Sequence, residues 1–165
     1  MALITPPYHF GLVVDDLEEA KHDIGGALGM TWAKTQRRTS MLESASGRES
    51  VEVCFVYSLQ GPPYLELIER REGSIFEHAG LHHIGVWSDD PPAESSRLQD
   101  HGWERESVTV KPDGSWIGGL YHLGIGGLRV EIVDIGASGP KLACYLTGGD
   151  YGLPPPEAPT ASRET

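Results

Sequence analysis

The chain contains one short motif twice, and this duplication constrains its fold more than any other feature of the sequence. The first copy, HFGLVVDD, begins at His9, and the second copy, HIGVWSDD, begins at His83, 74 residues later. In both copies a glycine follows the histidine by two positions and an acidic pair ends the motif. Such a pattern seen once is weak evidence. Seen twice, it predicts two structural repeats that share one design.

The segments around each copy predict the same order of elements. In the first repeat, alternating apolar residues predict strands at residues 8–14, 31–39, 50–58 and 64–69. Apolar residues spaced by three and four after the acidic pair predict a helix that ends at Gly29, and residues 41–49 form a polar connection. The first repeat therefore consists of a strand, a helix and three strands.

The second repeat follows the same plan from residue 81. Pro91 and Pro92 begin its helix, which ends before Gly102, and strands follow near residues 103–110, 116–123 and 128–134. We expect residues 1–75 to form the first βαβββ module and residues 76–135 the second, together making one domain. Residues 136–165 form a C-terminal extension. Within it, residues 141–147 can add a short segment, and the end from residue 154 is predicted to be disordered.

Composition excludes several classes of function. The formal charge of −11, from 24 acidic and 13 basic residues, argues against a nucleic-acid partner, which requires a basic face. No run of about 18 apolar residues is present, so we expect no membrane span. The first seven residues lack the features of a signal peptide, which predicts a cytoplasmic protein. The two cysteines, Cys54 and Cys144, predict neither a disulfide framework nor a zinc site.

Four polar side chains occupy matching positions in the two repeats. His9 and His83 lie on the first strand of each repeat, and Glu66 and Glu131 lie on the last. By strand alternation, each of the four faces away from the apolar packing side of its strand. If the repeats pair into a curved sheet, all four converge on one concave surface within reach of a single ion.

Two imidazoles and two carboxylates suit zinc, nickel, cobalt, manganese or iron(II). A single strand glutamate or histidine is usually a solvated or hydrogen-bonded residue, but four at matching positions favour a metal site. His82 is predicted to point to the opposite face, in a supporting role, unless a β-bulge reverses it. The remaining histidines have no counterpart in the other repeat and are interpreted as surface or pocket-wall residues: His22, His78, His101 and His122.

Four segments of the chain resemble the sequences of the vicinal oxygen chelate superfamily: HFGLVVDDLEEA, YLELIE, LHHIGVWSDD and GLRVEIVD. This group includes glyoxalase I, methylmalonyl-CoA epimerase, extradiol dioxygenases and the fosfomycin and bleomycin resistance proteins. The similarity covers about residues 7–135 and is greatest to the glyoxalase-like and epimerase-like branch. It implies an α+β fold in which two βαβββ modules form a curved mixed sheet around one divalent metal ion. The implied metal ligands are His9, Glu66, His83 and Glu131.

The resemblance also implies a function. A divalent ion that binds adjacent substrate oxygens stabilises an enolate, as in a metal-dependent lyase, isomerase or epimerase. We hypothesise that Glu131 is the general base, with Glu66 as its partner or as a second base. One alternative is a small-molecule binding or resistance protein of the same fold that performs no chemistry. An iron(II) dioxygenase is a further alternative, which Glu66 disfavours because it occupies a fourth coordination position.

The substrate is expected to be a small molecule with adjacent oxygens. Aromatic residues expected near the site suggest that it is partly hydrophobic: Phe55, Tyr64, Trp87 and Trp116. The few basic residues disfavour coenzyme A thioesters, although Arg37, Arg38 or Arg129 can pair with one carboxylate. We expect a homodimer, and the sequence leaves open whether one chain builds the site or two chains share it.

Overall fold

The computed structural model describes residues 5–151, and the strands in this range form one closed barrel with the order β1-β4-β3-β2-β6-β7-β8-β5. Each repeat contributes a strand, a helix and three strands, which confirms the predicted α+β fold of two βαβββ modules in a curved mixed sheet. The strands are β1 (His9–Val14), β2 (Gln36–Ser44), β3 (Gly47–Tyr57), β4 (Tyr64–Glu69), β5 (Gly80–Ser88), β6 (Glu104–Val110), β7 (Trp116–Leu123) and β8 (Arg129–Asp134). The helices are α1 (Leu17–Leu28), α2 (Pro91–Asp100) and α3 (Ile135–Leu146).

The two repeats meet along two antiparallel seams. Within each repeat the first and last strands are parallel, β1 with β4 and β5 with β8. Between the repeats, β1 pairs with β5 and β2 pairs with β6. The first seam places four consecutive strands side by side in the order β4, β1, β5 and β8.

Helix α1 covers the outer face of the first repeat. The Asp16 carboxylate accepts a hydrogen bond from the Glu19 backbone N–H and caps the helix, which ends at Gly29 in the left-handed conformation. Leu17 packs against Cys54 and Leu67 on the barrel wall. The outward-facing residues of β1, β3 and β4 are therefore buried under α1, which leaves their alternate residues to face the barrel interior.

Helix α2 covers the second repeat in the same way. Asp90 caps it by accepting a hydrogen bond from the Ala93 N–H, and Leu98 packs on the apolar outer face of β6, β7 and β8. His122 lies in this layer, fully buried, with its Nε2 atom 3.0 Å from the Ser95 hydroxyl. The interpretation of His122 as a surface or pocket-wall residue is therefore wrong, because α2 buries the face of β7 on which it lies.

The prediction that residues 41–49 form a polar connection is also wrong. Strand β2 continues to Ser44 and β3 begins at Gly47, so these residues form the tip of a long hairpin. The predicted strand at residues 31–39 lies too early, since Trp32 makes only an isolated bridge with Ser58. One face of this hairpin is exposed, and ion pairs such as Arg48 with Glu43, at 2.7 Å, replace apolar packing there.

Helix α3 replaces the short segment predicted at residues 141–147. The Asp134 carboxylate accepts a hydrogen bond from the Ala137 N–H at its first turn. Tyr145, fully buried, donates a hydrogen bond to the Lys34 carbonyl oxygen at 2.8 Å, which attaches the helix to the barrel. The tail predicted to be disordered begins at residue 154 and lies outside the described residues. Within residues 5–151, no helix has the length and apolar content needed to cross a membrane.

Candidate metal centre

The barrel brings His9, Glu66, His83 and Glu131 together inside one chain. Each of the four offers one ligand atom, and these atoms all lie within 4.8 Å of one another. The side chains come from the four adjacent strands β1, β4, β5 and β8. Both imidazoles are fully buried, and each carboxylate side chain is 12% exposed. The two histidines occupy the middle strands, and one glutamate flanks them on each side. The site does not require strands from a second chain.

Two glycines explain why the repeated motif places a glycine two residues after each histidine. In the seam between β1 and β5, His9 lies opposite Gly85 and His83 lies opposite Gly11. A Cβ atom on Gly85 would lie 1.9 Å from Cε1 of His9, and a Cβ on Gly11 would lie 2.1 Å from Cε1 of His83. The glycine of each repeat therefore provides space for the imidazole of the other repeat, and a larger residue would displace that ring.

The distances within the cluster fit a divalent ion with four protein ligands. The Nε2 atom of His9 lies 3.3 Å from Oε2 of Glu66 and 3.2 Å from Oε2 of Glu131. The Nε2 atom of His83 lies 3.4 Å from each of the same two oxygens. Neighbouring ligands at about 2.0–2.1 Å from one ion are about 2.9 Å apart in octahedral geometry and about 3.3–3.4 Å apart in tetrahedral geometry. The Nε2 atoms of His9 and His83 lie 2.8 Å apart, so the separations in the cluster span this range. The donor atoms and their separations therefore suit such an ion.

The four groups also shift each other's pKa values. Burial alone lowers the pKa of His9, but hydrogen bonds to Glu131 and Glu66 outweigh it and raise that pKa to about 9. Burial alone raises the pKa of Glu66, but hydrogen bonds from His83 and His9 lower it to about 2. The same two hydrogen bonds, with His83 and His9, hold the pKa of Glu131 well below its usual value. At neutral pH the two carboxylates are therefore charged. Nearby positive charge offsets the free-energy cost of burying them, and a bound divalent ion would supply such charge.

His82 fixes the orientation of the His83 ring. Its Nε2 atom lies 2.8 Å from the Ile75 carbonyl oxygen, so Nε2 must carry a hydrogen and donate it. Burial, together with the charges of His83 and Arg129, lowers the pKa of His82 to about 3, so the ring is neutral. Its Nδ1 atom then accepts a hydrogen bond from Nδ1 of His83, at 2.8 Å. This tautomer directs the Nε2 lone pair of His83 toward the cluster.

A small cavity of about 70 Å³ opens beside the cluster, and Glu66 and Glu131 line it. A Cβ atom on Gly119 would lie 1.9 Å from Oε1 of Glu131, so this glycine gives the carboxylate room in the cavity wall. Oε2 of Glu131 faces the histidines, while Oε1 lies over Gly119. Aromatic rings form much of the remaining wall: Tyr8, Phe55, Tyr57, Phe76, Tyr121 and Tyr151.

Of the aromatic residues expected near the site, Phe55 lines this cavity and three do not. Trp87 stacks on Tyr8, with the two ring centres 3.7 Å apart. Trp116 packs in the layer beneath α2, and Tyr64 lies at the edge of the interior core. Sequence reasoning missed Tyr121, although strand alternation offered a signal. Tyr121 pairs with Glu131 between β7 and β8 and shares its inward face.

Residues 8–116 match a family model described as the Glyoxalase/Bleomycin resistance protein/Dioxygenase superfamily. No curated protein matches the sequence.

Several solved structures share the fold. The Streptomyces coelicolor methylmalonyl-CoA epimerase, a single-residue variant in complex with 2-nitronate-propionyl-CoA, is 19% identical, with a TM-score of 0.55 over 80% of this chain and 95% of that one. The Mycobacterium tuberculosis methylmalonyl-CoA epimerase is 18% identical, with a TM-score of 0.56 over 81% and 89%. A hypothetical protein of Bacillus halodurans C-125 is 15% identical, with a TM-score of 0.55 over 78% and 93%. At these identities the likeness establishes the fold.

Proposed function

Because the chain belongs to the glyoxalase/bleomycin resistance protein/dioxygenase superfamily, we propose that it is a divalent-metal-dependent isomerase of the epimerase type. Its reaction moves a proton at a carbon next to two substrate oxygens. The observation that carries this proposal is the buried group of two histidines and two glutamates beside a cavity. The epimerases among the solved structures with this fold support the same reaction class.

In this proposal His9, Glu66, His83 and Glu131 hold the ion. Their nitrogen and oxygen donors and N–O separations of 3.2–3.4 Å suit zinc, with nickel, cobalt, manganese and iron(II) as alternatives. When bound, the ion acts as a Lewis acid toward the two substrate oxygens and makes the neighbouring C–H bond more acidic.

Glu131 is the proposed general base. Its carboxylate is charged at neutral pH, and its Oε1 atom, over Gly119, faces the cavity where a substrate carbon can approach. Glu66 is the proposed second base. It lies on the other side of the histidine pair from Glu131, since β4 and β8 flank β1 and β5. Two bases on opposite sides suit an epimerisation, in which the proton leaves one face of the carbon and returns to the other.

The experiment that tests this function measures proton exchange with solvent. Purified protein is analysed for bound metal and loaded with zinc, nickel or cobalt. It is then incubated in D₂O with methylmalonyl-CoA and with small 2-oxo acids. We expect NMR to show deuterium at the carbon next to the two oxygens of at least one compound. Exchange should be lost in Glu131→Gln and retained in Glu52→Gln, a control whose exposed carboxylate pairs with Arg37 outside the barrel.

Other results would indicate a different function. A compound that binds without exchange in any metal-loaded form would favour the non-catalytic binding protein. Bound iron together with oxygen uptake would favour the dioxygenase. One chain supplies all four clustered side chains, so the site gives no reason for a second chain. The homodimer therefore stays a prediction.

A further inference from the structure

Two cationic side chains line the cavity that Glu66 and Glu131 also line. Arg38 reaches it from β2, and Lys141 reaches it from α3. Among residues 5–151, the cavity lining contains no acidic residue besides the two glutamates of the cluster. The chain as a whole carries a formal charge of −11, so two cationic side chains beside one cavity contrast with the rest of the protein. A positively charged, partly enclosed surface attracts an anionic ligand.

Arg38 is held by aromatic rings instead of by a carboxylate. Its Cζ atom lies 5.0 Å from the centre of the Phe55 ring and 5.3 Å from the centre of the Tyr151 ring. Within residues 5–151 it forms no ion pair. Six other arginines do pair with a carboxylate: Arg37, Arg48, Arg70, Arg71, Arg97 and Arg129. Arg38 therefore keeps a positioned set of N–H donors available for a ligand carboxylate.

The sequence suggests three arginines that can pair with a substrate carboxylate, and the structure places them in different surroundings. Arg37 points outward and pairs with Glu52, at 3.0 Å. Arg129 pairs with Glu106, at 2.5 Å. Neither lines the cavity, so Arg38 is the candidate that the geometry supports.

Strand register indicates how far along the barrel the Phe55 ring, against which Arg38 packs, lies from the cluster. Tyr57 on β3 pairs with Glu66 on β4, and Phe55 lies two residues before Tyr57. Two residues along a strand span roughly 7 Å, so Phe55, whose ring centre lies 5.0 Å from Cζ of Arg38, is about that far along the barrel from the level of Glu66. A ligand that spans this distance and pairs with the Arg38 guanidinium is a short-chain acid. The cavity volume of about 70 Å³ also favours a small ligand.

We propose that Arg38, assisted by Lys141, forms a carboxylate-binding subsite, and that the substrate is a small acid with its two adjacent oxygens at the opposite end. This inference rests on the proposed function, which assigns those two oxygens to the ion. The segment after the second repeat contributes to the subsite, since Lys141 and Tyr151 both lie in it. That segment lies entirely after residue 116, where the family match ends.

The test compares three probes on the zinc-loaded protein by calorimetry. Oxalate has two adjacent oxygens and no further group. The acids 2-oxopentanoate and 2-oxoglutarate share a 2-oxo acid group and a five-carbon chain, and they differ at the far end, where one has a methyl group and the other a carboxylate. The variant is Arg38→Gln, and the matched control is Arg37→Gln, the neighbouring arginine on the outer face of the same strand.

We expect wild type and Arg37→Gln to bind 2-oxoglutarate roughly 10- to 100-fold more tightly than 2-oxopentanoate, because a charge-assisted pair is gained. In Arg38→Gln the preference should fall to about threefold or less while oxalate affinity is unchanged. Absence of the preference in wild type, or its persistence in Arg38→Gln, would overturn the subsite.

The oxalate measurement separates this inference from the proposed function. If oxalate binds and the two five-carbon acids bind equally, the subsite is wrong and metal chelation stands. If oxalate fails to bind, metal chelation of adjacent oxygens is wrong. In that case a 2-oxoglutarate preference that Arg38→Gln abolishes would still support the subsite, and no preference would overturn both.

Discussion

Replacing Gly85 by alanine tests how the two repeats position each other's ligands. The added Cβ atom would lie 1.9 Å from Cε1 of His9, whereas carbon atoms in contact are about 3.5–4.0 Å apart. The imidazole must therefore move by roughly 1.5 Å or more, or the β1–β5 seam must widen. Metal–ligand distances tolerate only about 0.2 Å. His9 should no longer reach an ion that the other three residues hold.

The expected loss of metal affinity can be bounded from below. Removing a residue that merely orients a metal ligand costs about 10- to 100-fold in affinity. Displacing the ligand itself should cost at least as much, or about 1.4–2.8 kcal/mol. The assay is a zinc titration against a chromophoric chelator, with thermal unfolding recorded to verify that the variant is folded.

The matched control for Gly85→Ala is Gly26→Ala. Gly26 lies in α1, and a Cβ atom there would meet no heavy atom within 4 Å. Its affinity for zinc should be unchanged, and its free energy of unfolding should rise by up to about 1 kcal/mol. A folded Gly85→Ala protein that binds zinc as tightly as wild type would refute the account of the paired glycines.

Three further predictions follow from the site. Glu131→Gln should lower the rate of proton exchange by about 10²- to 10⁴-fold, since the amide oxygen can still bind metal but cannot accept the proton; unchanged exchange would remove Glu131 as the base. His82→Phe should weaken zinc binding by about 10- to 100-fold, because Nδ1 of His83 loses its acceptor, whereas the exposed His22→Gln control should not; equal affinities in the chelator titration would contradict this. Zinc binding should release protons and strengthen as the pH rises from 6 to 9, since His9 is protonated below its pKa of about 9 and must be neutral to bind. Titrations in buffers of different ionisation enthalpy measure this release, and an affinity that is flat across the range would contradict it.

Strand alternation predicted most of the fold and grouped the four side chains that the barrel brings together. The period of two placed His9 and His83 on the inward faces of β1 and β5, and the repeat identified their partners Glu66 and Glu131. These features are local, so a single sequence contains them. The closure of the barrel through β2 and β6 is a long-range pairing that no local pattern specifies.

The errors have separate physical causes. The β2–β3 hairpin is polar because one of its faces is exposed, so its tip resembles a loop in sequence. Helix α3 contains Gly136, Gly139 and Pro140, which lower helix propensity, and tertiary packing of Tyr145 outweighs them. His122 shares the outer face of β7 with Leu120, which alternation indicates, but its burial depends on α2.

The measurement that tests the central claim most directly is an anomalous difference map of the zinc-loaded crystal, recorded at the zinc absorption edge. We expect one ion per chain between the four side chains, with the Nε2 atoms of His9 and His83 at about 2.0–2.1 Å and one oxygen each of Glu66 and Glu131 at about 2.0–2.2 Å. No peak between these residues in the loaded protein, or a peak bound by other residues, would contradict the account.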